Sequence, residues 1–473
     1  MTHALHNLFA YVLTIGVLIT IHEYGHYRVA VACGVRVFRF SWGFGRVIWS
    51  RRFGKDRCEF ALSLIPLGGY VSMLEKVDET TPPEDVSRAL ESRPLWQRMA
   101  VMAAGPAANF LLAAVLFAGA QFVGVERVVP MFGTPPEGSL LAFAGARAQD
   151  RVVAAAELEA GELRDAVDSA DGLAWHDVRG EEELYEAIAV ALMDQRPLLL
   201  RVRRHDGGDA TLKLPLDTLG KSELDAASLA RIGLSGPYAT PLLGRIVPGG
   251  PGARAGLLSG DLVISIDGQP VADRDQALQR IRGSVQADGR ARTLQVQVMR
   301  AGKTLLLPVT PRVVADKGRG QNVGRIDAEM GGPLTEETVR DGVFESLRYG
   351  VVQTWRRATL QLHLLGRMLT TLSAKQLSGT LTIAEAAAQS IKHGVSDFVL
   401  FLAEVSVGLG VLNLLPVPIL DGGRLLYYLF EGVTGRPVSA QWWARLQIGG
   451  LLAIVLLMSL ALSNDVARLL GQQ

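Results

Sequence analysis

The chain has 473 residues, 49% of them hydrophobic and 20% charged, with a formal net charge of +1. That balance excludes a global attraction to nucleic acid and points to apolar spans joined to an ordinary water-exposed region, on a length that admits more than one domain. The two cysteines, Cys33 and Cys58, exclude a disulfide framework and lie in no CxxC or metal-like spacing.

The first apolar stretch begins at Leu8, runs through Ile21 and meets His22, Glu23 and His26 before apolarity returns at Val29 to Ala32. Ala30-Val31-Ala32 looks like a signal-peptidase site, but Met1 to Asn7 contains no Lys or Arg. The positive n-region is therefore missing, and an uncleaved span is expected. His22-Glu23-Tyr24-Gly25-His26 is an HExxH pattern. On a helix, positions i and i+4 point the same way, so both imidazoles can reach one ion, with Glu23 close enough to take a proton from an attacking water. Burying a charged carboxylate at mid-span costs about 2.5 kcal/mol or more. These residues need a partner, and a divalent cation is a good one.

The next segment reads as strand. Val35, Val37 and Phe38-Arg39-Phe40 lead to a turn at Phe53-Gly54-Lys55-Asp56, then Phe60, Leu62 and Leu64 alternate, and Pro66-Leu67-Gly68-Gly69 ends the run. A membrane-associated β-hairpin over 35–64 is predicted, with Gly43, Gly45, Gly68 and Gly69 as candidate substrate-binding positions. Met99 to Val123 contains no charge and is long enough to span a bilayer, which takes about 20 apolar residues.

The long segment 124–395 contains a repeat. Ala255-Gly256-Leu257-Leu258-Ser259-Gly260-Asp261-Leu262-Val263, followed by Asp267-Gly268, echoes Ala144-Gly145-Ala146-Arg147-Ala148-Gln149-Asp150-Arg151-Val152, with Asp171-Gly172 later. Helical patterns follow each Asp-Gly pair, at Glu181 to Val190 and Arg274 to Ile281. The pattern resembles PDZ domains, α+β modules in tandem at 126–218 (degenerate, with an insertion between Val153 and Ala170) and 222–312. Such domains add a peptide to a sheet edge, and Ile232-Gly233-Leu234-Ser235 is the candidate peptide-binding loop. Peptide capture and a role as spacer or filter are both open. Within 333–395, Val343, Phe344, Leu347, Val351, Val352 and Trp355 fall at helical spacing, as on a helix lying on the membrane surface or one packed in the protein.

A third span is predicted from Phe398 to Leu420, interrupted by Glu404, and a fourth from Trp442 to Leu462. The third ends in Asn413-Leu414-Leu415-Pro416-Val417-Pro418-Ile419-Leu420-Asp421-Gly422-Gly423, whose two prolines break the helix. A catalytic zinc site needs a third protein ligand and one open position, and Asp421 is the candidate. Arg36, Arg39, Arg46, Arg51, Arg52, Lys55 and Arg57 follow the first span, and Arg424 and Arg436 separate the last two. Both short loops are therefore expected in the cytoplasm, with both termini and the repeat region outside. By that topology the two histidines and Asp421 lie toward one side.

HExxH in the first span with NxxPxPxLDGG in a later one resembles the site-2 protease family, over essentially the whole chain. The PDZ pair narrows the resemblance to its sigma-E-regulating branch in Gram-negative bacteria. Ile65-Pro66-Leu67-Gly68-Gly69-Tyr70-Val71, Gly105-Pro106-Ala107-Ala108-Asn109 and Leu377-Ser378-Gly379 resemble further family motifs. The resemblance implies a four-span α-helical inner-membrane protein with periplasmic PDZ domains, divided at 1–125, 126–218, 222–312, 333–395 and 396–473. It implies one zinc ion on His22, His26 and Asp421, toward the cytoplasmic side, and Glu23 as general base and acid. Asn413 would hold the substrate strand or stabilise the oxyanion, and the hairpin would offer an edge to an unwound substrate helix. Substrates would be single-span membrane proteins of the anti-sigma-factor type and leftover signal peptides. The donor types alone also admit other divalent ions. Thr380, Arg424 and Gly408 depart from the family's usual proline, histidine and asparagine, away from the proposed ligands. A PDZ scaffold would have no need of Glu23. An anchored soluble-type zincin would not place Asp421 so far along the chain, and a metal transporter would act without proteolysis.

Overall fold

The computed structural model describes residues 2–54, 56–79, 81–158, 173–220, 225–234, 236–316, 321–371, 379–436 and 438–469. Two compact units divide the chain, one of Met1–Val125 with Arg340–Gln473 and one of Glu126–Val339.

The first unit holds four helices long and apolar enough to cross a membrane, with such stretches at Leu5–Ala32, Leu95–Val123, Val395–Leu414 and Gln441–Asp465. Helix α1 (Thr2–Ala32) runs unbroken through the HExxH residues. Helix α2 (Leu95–Val123) packs against it at Gly25, where a Cβ would fall 2.4 Å from the Ala104 carbonyl oxygen. Only glycine permits so close a crossing. The third span stops at Leu414, six residues before the expected end. Pro416 and Pro418 supply no N–H to continue the ladder. The chain turns and restarts as a separate helix, Asp421–Thr434, which the apolar run had concealed.

The helix Val343–Thr371 packs tightly on α2, since a Cβ at Gly350 would lie 2.2 Å from the Ala114 carbonyl oxygen. Its other face leaves Phe344, Val351 and Trp355 exposed. It also resolves the charge in the third span: Arg357 Nε stands 3.0 Å from Glu404 Oε1. The helix Thr380–His393 is capped from the far end of the chain by buried Asp465, which accepts from the Gly379, Leu381 and Thr382 amides and the Thr382 hydroxyl. Leu377 and Ser378 of the preceding motif lie outside the described residues.

Between α1 and α2 run two long strands, β1 (Val37–Phe53) and β2 (Cys58–Met73). Their register makes a four-segment sheet. Val47 to Phe53 faces Ser63 to Cys58, while Arg39 to Trp42 faces Glu59 to Leu62 on one side and Ser72 to Gly69 on the other. The expected stop at Gly69 is overturned, because the strand continues through the glycines to Met73. Those glycines serve close approach: a Cβ at Gly69 would lie 2.6 Å from the Ser41 carbonyl, and one at Gly43 2.8 Å from that of Ile65. Gly45 and Gly68 hold φ of +85° and +123°, a region that favours glycine. Lys55 of the turn lies outside the described residues.

The second unit holds two four-stranded sheets of one strand order. The first runs His176–Asp177, Arg151–Glu157, Leu198–Arg203, Asp209–Leu214, with the helix Glu181–Met193 between its second and third strands in sequence. The other runs Gln269–Pro270, Leu262–Ile266, Leu294–Arg300, Lys303–Val309, with Arg274–Arg282 in the same slot. The repeat seen in the sequence thus has two equivalent apolar cores, around Val152, Ile188 and Leu200 and around Val263, Ile281 and Val296. Of the insertion expected between Val153 and Ala170, residues 154–157 continue the strand Arg151–Glu157, while 159–169, the Asp171-Gly172 turn and Ser235 lie outside the described residues.

One expectation is corrected here. Ile232 and Leu234, expected to line a peptide site of the second domain, are buried in the core of the first sheet. The helix Ala226–Ile232 ends at Gly233, whose φ of +97° and close approach to Ser139 seat the segment there. The second sheet's lobe in turn reaches past residue 312, since Leu243–Ile246 pairs with Ala328–Met330. Apolar residues at the junction of two modules carry no mark of which core they enter.

Asp261 in the repeat motif is fully buried and takes two hydrogen bonds of 2.6 Å from Arg300 and one of 2.9 Å from the Leu258 amide. Burial opposes ionisation, but Arg300 and that amide outweigh it and hold Asp261 below the usual carboxylate range. A depressed folded pKa gives stability that is present above the unfolded value of about 3.9 and lost as pH falls through the lower folded one. Arg300→Met leaves the carboxylate unpaired and is expected to destabilise this unit by about 3 kcal/mol at neutral pH. The loss should shrink below about pH 4, as Asp261 protonates; denaturant melts of residues 126–339 at several pH values measure it.

Candidate active site

The i, i+4 spacing on α1 aims both imidazoles at one point, and the start of the helix Asp421–Thr434 brings a carboxylate to it. Asp421 Oδ2 lies 3.1 Å from His22 Nε2 and 3.3 Å from His26 Nε2, and the two Nε2 atoms are 3.2 Å apart. Three ligands of a tetrahedral zinc, with bonds of about 2.0–2.1 Å, stand about 3.3–3.4 Å from one another. The triangle therefore fits zinc. Both histidines are buried, and among the described residues nothing donates a hydrogen bond to the buried Asp421 Oδ2, a costly arrangement for a carboxylate unless a cation faces it.

The orientation of each group has a local cause. His26 Nδ1 stands 2.7 Å from the Val101 carbonyl oxygen of α2. A carbonyl only accepts, so Nδ1 carries the proton and the Nε2 lone pair faces the triangle. Gly105, one turn further along α2, lets the histidines sit against the helix backbone: a Cβ there would fall 2.3 Å from His26 Nε2. Asp421 is held through its helix. Gly422 and Gly423 bring the first turn against the Leu414–Pro418 segment, where a Cβ at either would meet a carbonyl oxygen at 2.2 Å. Two ion pairs fix the rest, Arg98 to Glu431 with hydrogen bonds of 2.7 and 3.0 Å and Arg424 to Glu75 at 3.0 Å. Arg424, a departure from the family pattern, thus has a structural use.

Glu23 follows His22 on α1, half-buried, and its Oε2 accepts a 3.0 Å hydrogen bond from the Val71 amide of β2. That bond ties the carboxylate to the segment 69–73 of β2, which pairs with residues 39–42 on one side. The Asn413 side-chain amide donates to the Leu409 carbonyl at 3.0 Å, within its own helix. Ile232, Gly233 and Leu234 belong to the other unit.

The motif Gly105-Pro106-Ala107-Ala108-Asn109 marked Gly105 and Asn109 without giving them a place beside the histidines, and nothing in the sequence marked the Val101 carbonyl. Asn109 is buried on α2 with Nδ2 3.2 Å from His22 Nδ1. A signal was present: a glycine and an amide four residues apart share one face of a helix, in a span from Met99 to Val123 that contains no charge.

The sequence pattern of peptidase family M50 matches residues 10–457. A Ralstonia nicotianae protein carrying the name zinc metalloprotease is 40% identical, with 98% of each chain covered. The regulator of sigma-E protease RseP of Escherichia coli is 34% identical over 98% of this chain and 99% of its own. The regulator of sigma E protease of Salmonella typhi is also 34% identical, over 99% of this chain and all of its own.

Proposed function

The chain belongs to peptidase family M50 and so is a zinc metalloprotease, and we propose that it cuts membrane proteins within or beside their transmembrane helices. Supporting this is the convergence of His22, His26 and Asp421 donor atoms at 3.1–3.3 Å, with both histidines on a helix long and apolar enough to cross a bilayer and Glu23 on the same turn. In this reading His22, His26 and Asp421 hold the ion and leave a fourth position open. Zinc, when bound, supplies Lewis acidity that activates a water and polarises the scissile carbonyl. Glu23, oriented by the Val71 amide, accepts the proton from the attacking water and then delivers it to the leaving amine. A helical peptide bond is shielded by its own turn, so the substrate must unwind. The edge at 69–73 offers backbone groups to replace the hydrogen bonds lost, with Asn413 free to assist if its side chain leaves Leu409.

The relatives named for sigma-E regulation suggest single-span substrates of the anti-sigma-factor type, cut in an envelope stress response, and leftover signal peptides. The basic residues after the first span support a cytoplasmic-side zinc site in the inner membrane, with the two-sheet unit, read as PDZ domains, in the periplasm. The burial of Ile232 and Leu234 favours a filter over peptide capture at that loop. Residues 125–128 and 336–339 pair as strands, so the chain leaves and returns at one place. Deleting Glu126–Val339 across that point should let substrates with intact external domains be cut; unchanged selectivity refutes the filter.

Reconstituted in liposomes with a single-span anti-sigma-type reporter, the protein should lose cleavage by about 100-fold or more when zinc is stripped, and regain it on zinc addition. Undiminished cleavage after verified removal would remove zinc from the mechanism.

A further inference from the structure

We propose that Asn109 is a positioning residue that sets the tautomer of His22, presenting its side-chain oxygen, rather than its NH2, to the ring. This rests on the zinc reading above. A neutral imidazole carries one proton, and a nitrogen that binds a cation cannot hold it. His26 meets the requirement through the Val101 carbonyl. His22 Nε2 faces Asp421, so its proton must sit on Nδ1, and that proton needs an acceptor.

Among the described residues the only hydrogen-bond partner of His22 Nδ1 is the Asn109 amide, 3.2 Å away and fully buried. The far end of the Asn109 amide is buried without a hydrogen-bond partner among the described residues, so it favours neither orientation, and the ring decides. An NH2 turned toward His22 Nδ1 can only donate. The ring proton would then be driven onto Nε2, leaving no lone pair for an ion. Asp421 Oδ2 is likewise without a donor, as expected where both Nε2 atoms present lone pairs. The two ends of an amide are alike in shape, so packing does not choose between them and the proton does. With Oδ1 toward the ring, His22 Nδ1–H donates to it, and α2 supplies an acceptor to each histidine, a carbonyl for His26 and an amide oxygen for His22. The position of α2 here is secured by Ser406, whose hydroxyl donates to the Asn109 main-chain carbonyl at 2.8 Å.

The test uses the full chain in detergent, with zinc affinity read by chelator competition and the histidine rings by 15N NMR of the loaded protein. Asn109→Leu, close in size but unable to accept, is expected to bind zinc about 10–100-fold more weakly. Asn109→Asp, which can only accept, should stay within a few-fold of wild type. In wild type the His22 ring should carry its proton on Nδ1. Wild-type affinity in Asn109→Leu, or a His22 proton on Nε2 in the loaded protein, overturns the proposal, and the ring measurement decides it should the leucine variant fail to fold. If His22→Phe binds zinc as tightly as wild type, the zinc reading itself fails. If that variant loses zinc while Asn109→Leu does not, the role of Asn109 fails alone.

Discussion

Replacing Glu23 by glutamine should abolish cleavage while leaving zinc in place. The side chain keeps its size and can still accept the Val71 amide hydrogen bond through its oxygen, so the hairpin edge and the histidines have no reason to move. What is lost is proton transfer. A neutral amide cannot take a proton from water at the attack step, nor return one to the leaving amine. General acid–base catalysis contributes about 10²–10⁴-fold for a step. Because the proposed mechanism uses Glu23 in both steps, a fall of about 10⁴-fold or more is expected, or about 5.5 kcal/mol in the barrier. The measurement is cleavage of the single-span reporter at equal membrane levels, with zinc content determined on the same preparation. Persisting cleavage would mean that Glu23 is not the base and that the site has been misassigned. Loss of both cleavage and zinc would mean that Glu23 supports the metal site, and the two functions would have to be separated again.

The path from residues to site was legible where one periodicity sufficed. His22 and His26 are neighbours on any helix, and the apolar residues around them required one. Asp421 could be matched to them because the prolines at 416 and 418 mark a place where backbone and side chain leave the regular span. The reach of the helix ending at Leu414 was misread for the same reason that made it visible as a span: apolar residues continue to Leu420, and hydropathy does not register a turn. Arg357 as the partner of Glu404, and Val71 as the donor to Glu23, were beyond reach because each pair joins elements whose approach is set by packing. Ile232 and Leu234 show the limit differently. Their apolarity said that they would be buried, but the repeat boundary, drawn from similarity, assigned them to the wrong core. Asn109 was within reach, four residues after Gly105 on the same face of an apolar span without a charge.

The last result expected concerns one methyl group. Gly105→Ala adds a Cβ 2.3 Å from His26 Nε2 and 2.7 Å from His22 Nε2, inside the contact distance of any real carbon. The position is helical, so alanine suits the backbone and would ordinarily gain about 1 kcal/mol over glycine. Sterics decide the outcome. His26 is tethered to Val101 at 2.7 Å, and α1 and α2 already meet at Gly25 with no slack, so neither ring nor helix can yield without disturbing the triangle. Overpacking of this kind costs about 1–3 kcal/mol in stability. The loss of function should be far greater, since a displacement near 1 Å at the donors exceeds the tolerance of zinc bonds of about 2.0–2.1 Å. Zinc affinity should fall by about 100-fold or more, and cleavage with it. Gly119 lies in the same helix with nothing within 4 Å of its would-be Cβ, so Gly119→Ala is the control and should leave zinc content and cleavage at wild-type levels. If Gly105→Ala kept both, the histidines could not stand against α2 as described. Loss in both variants would point to the helix as a whole rather than to the space between Gly105 and the ligands.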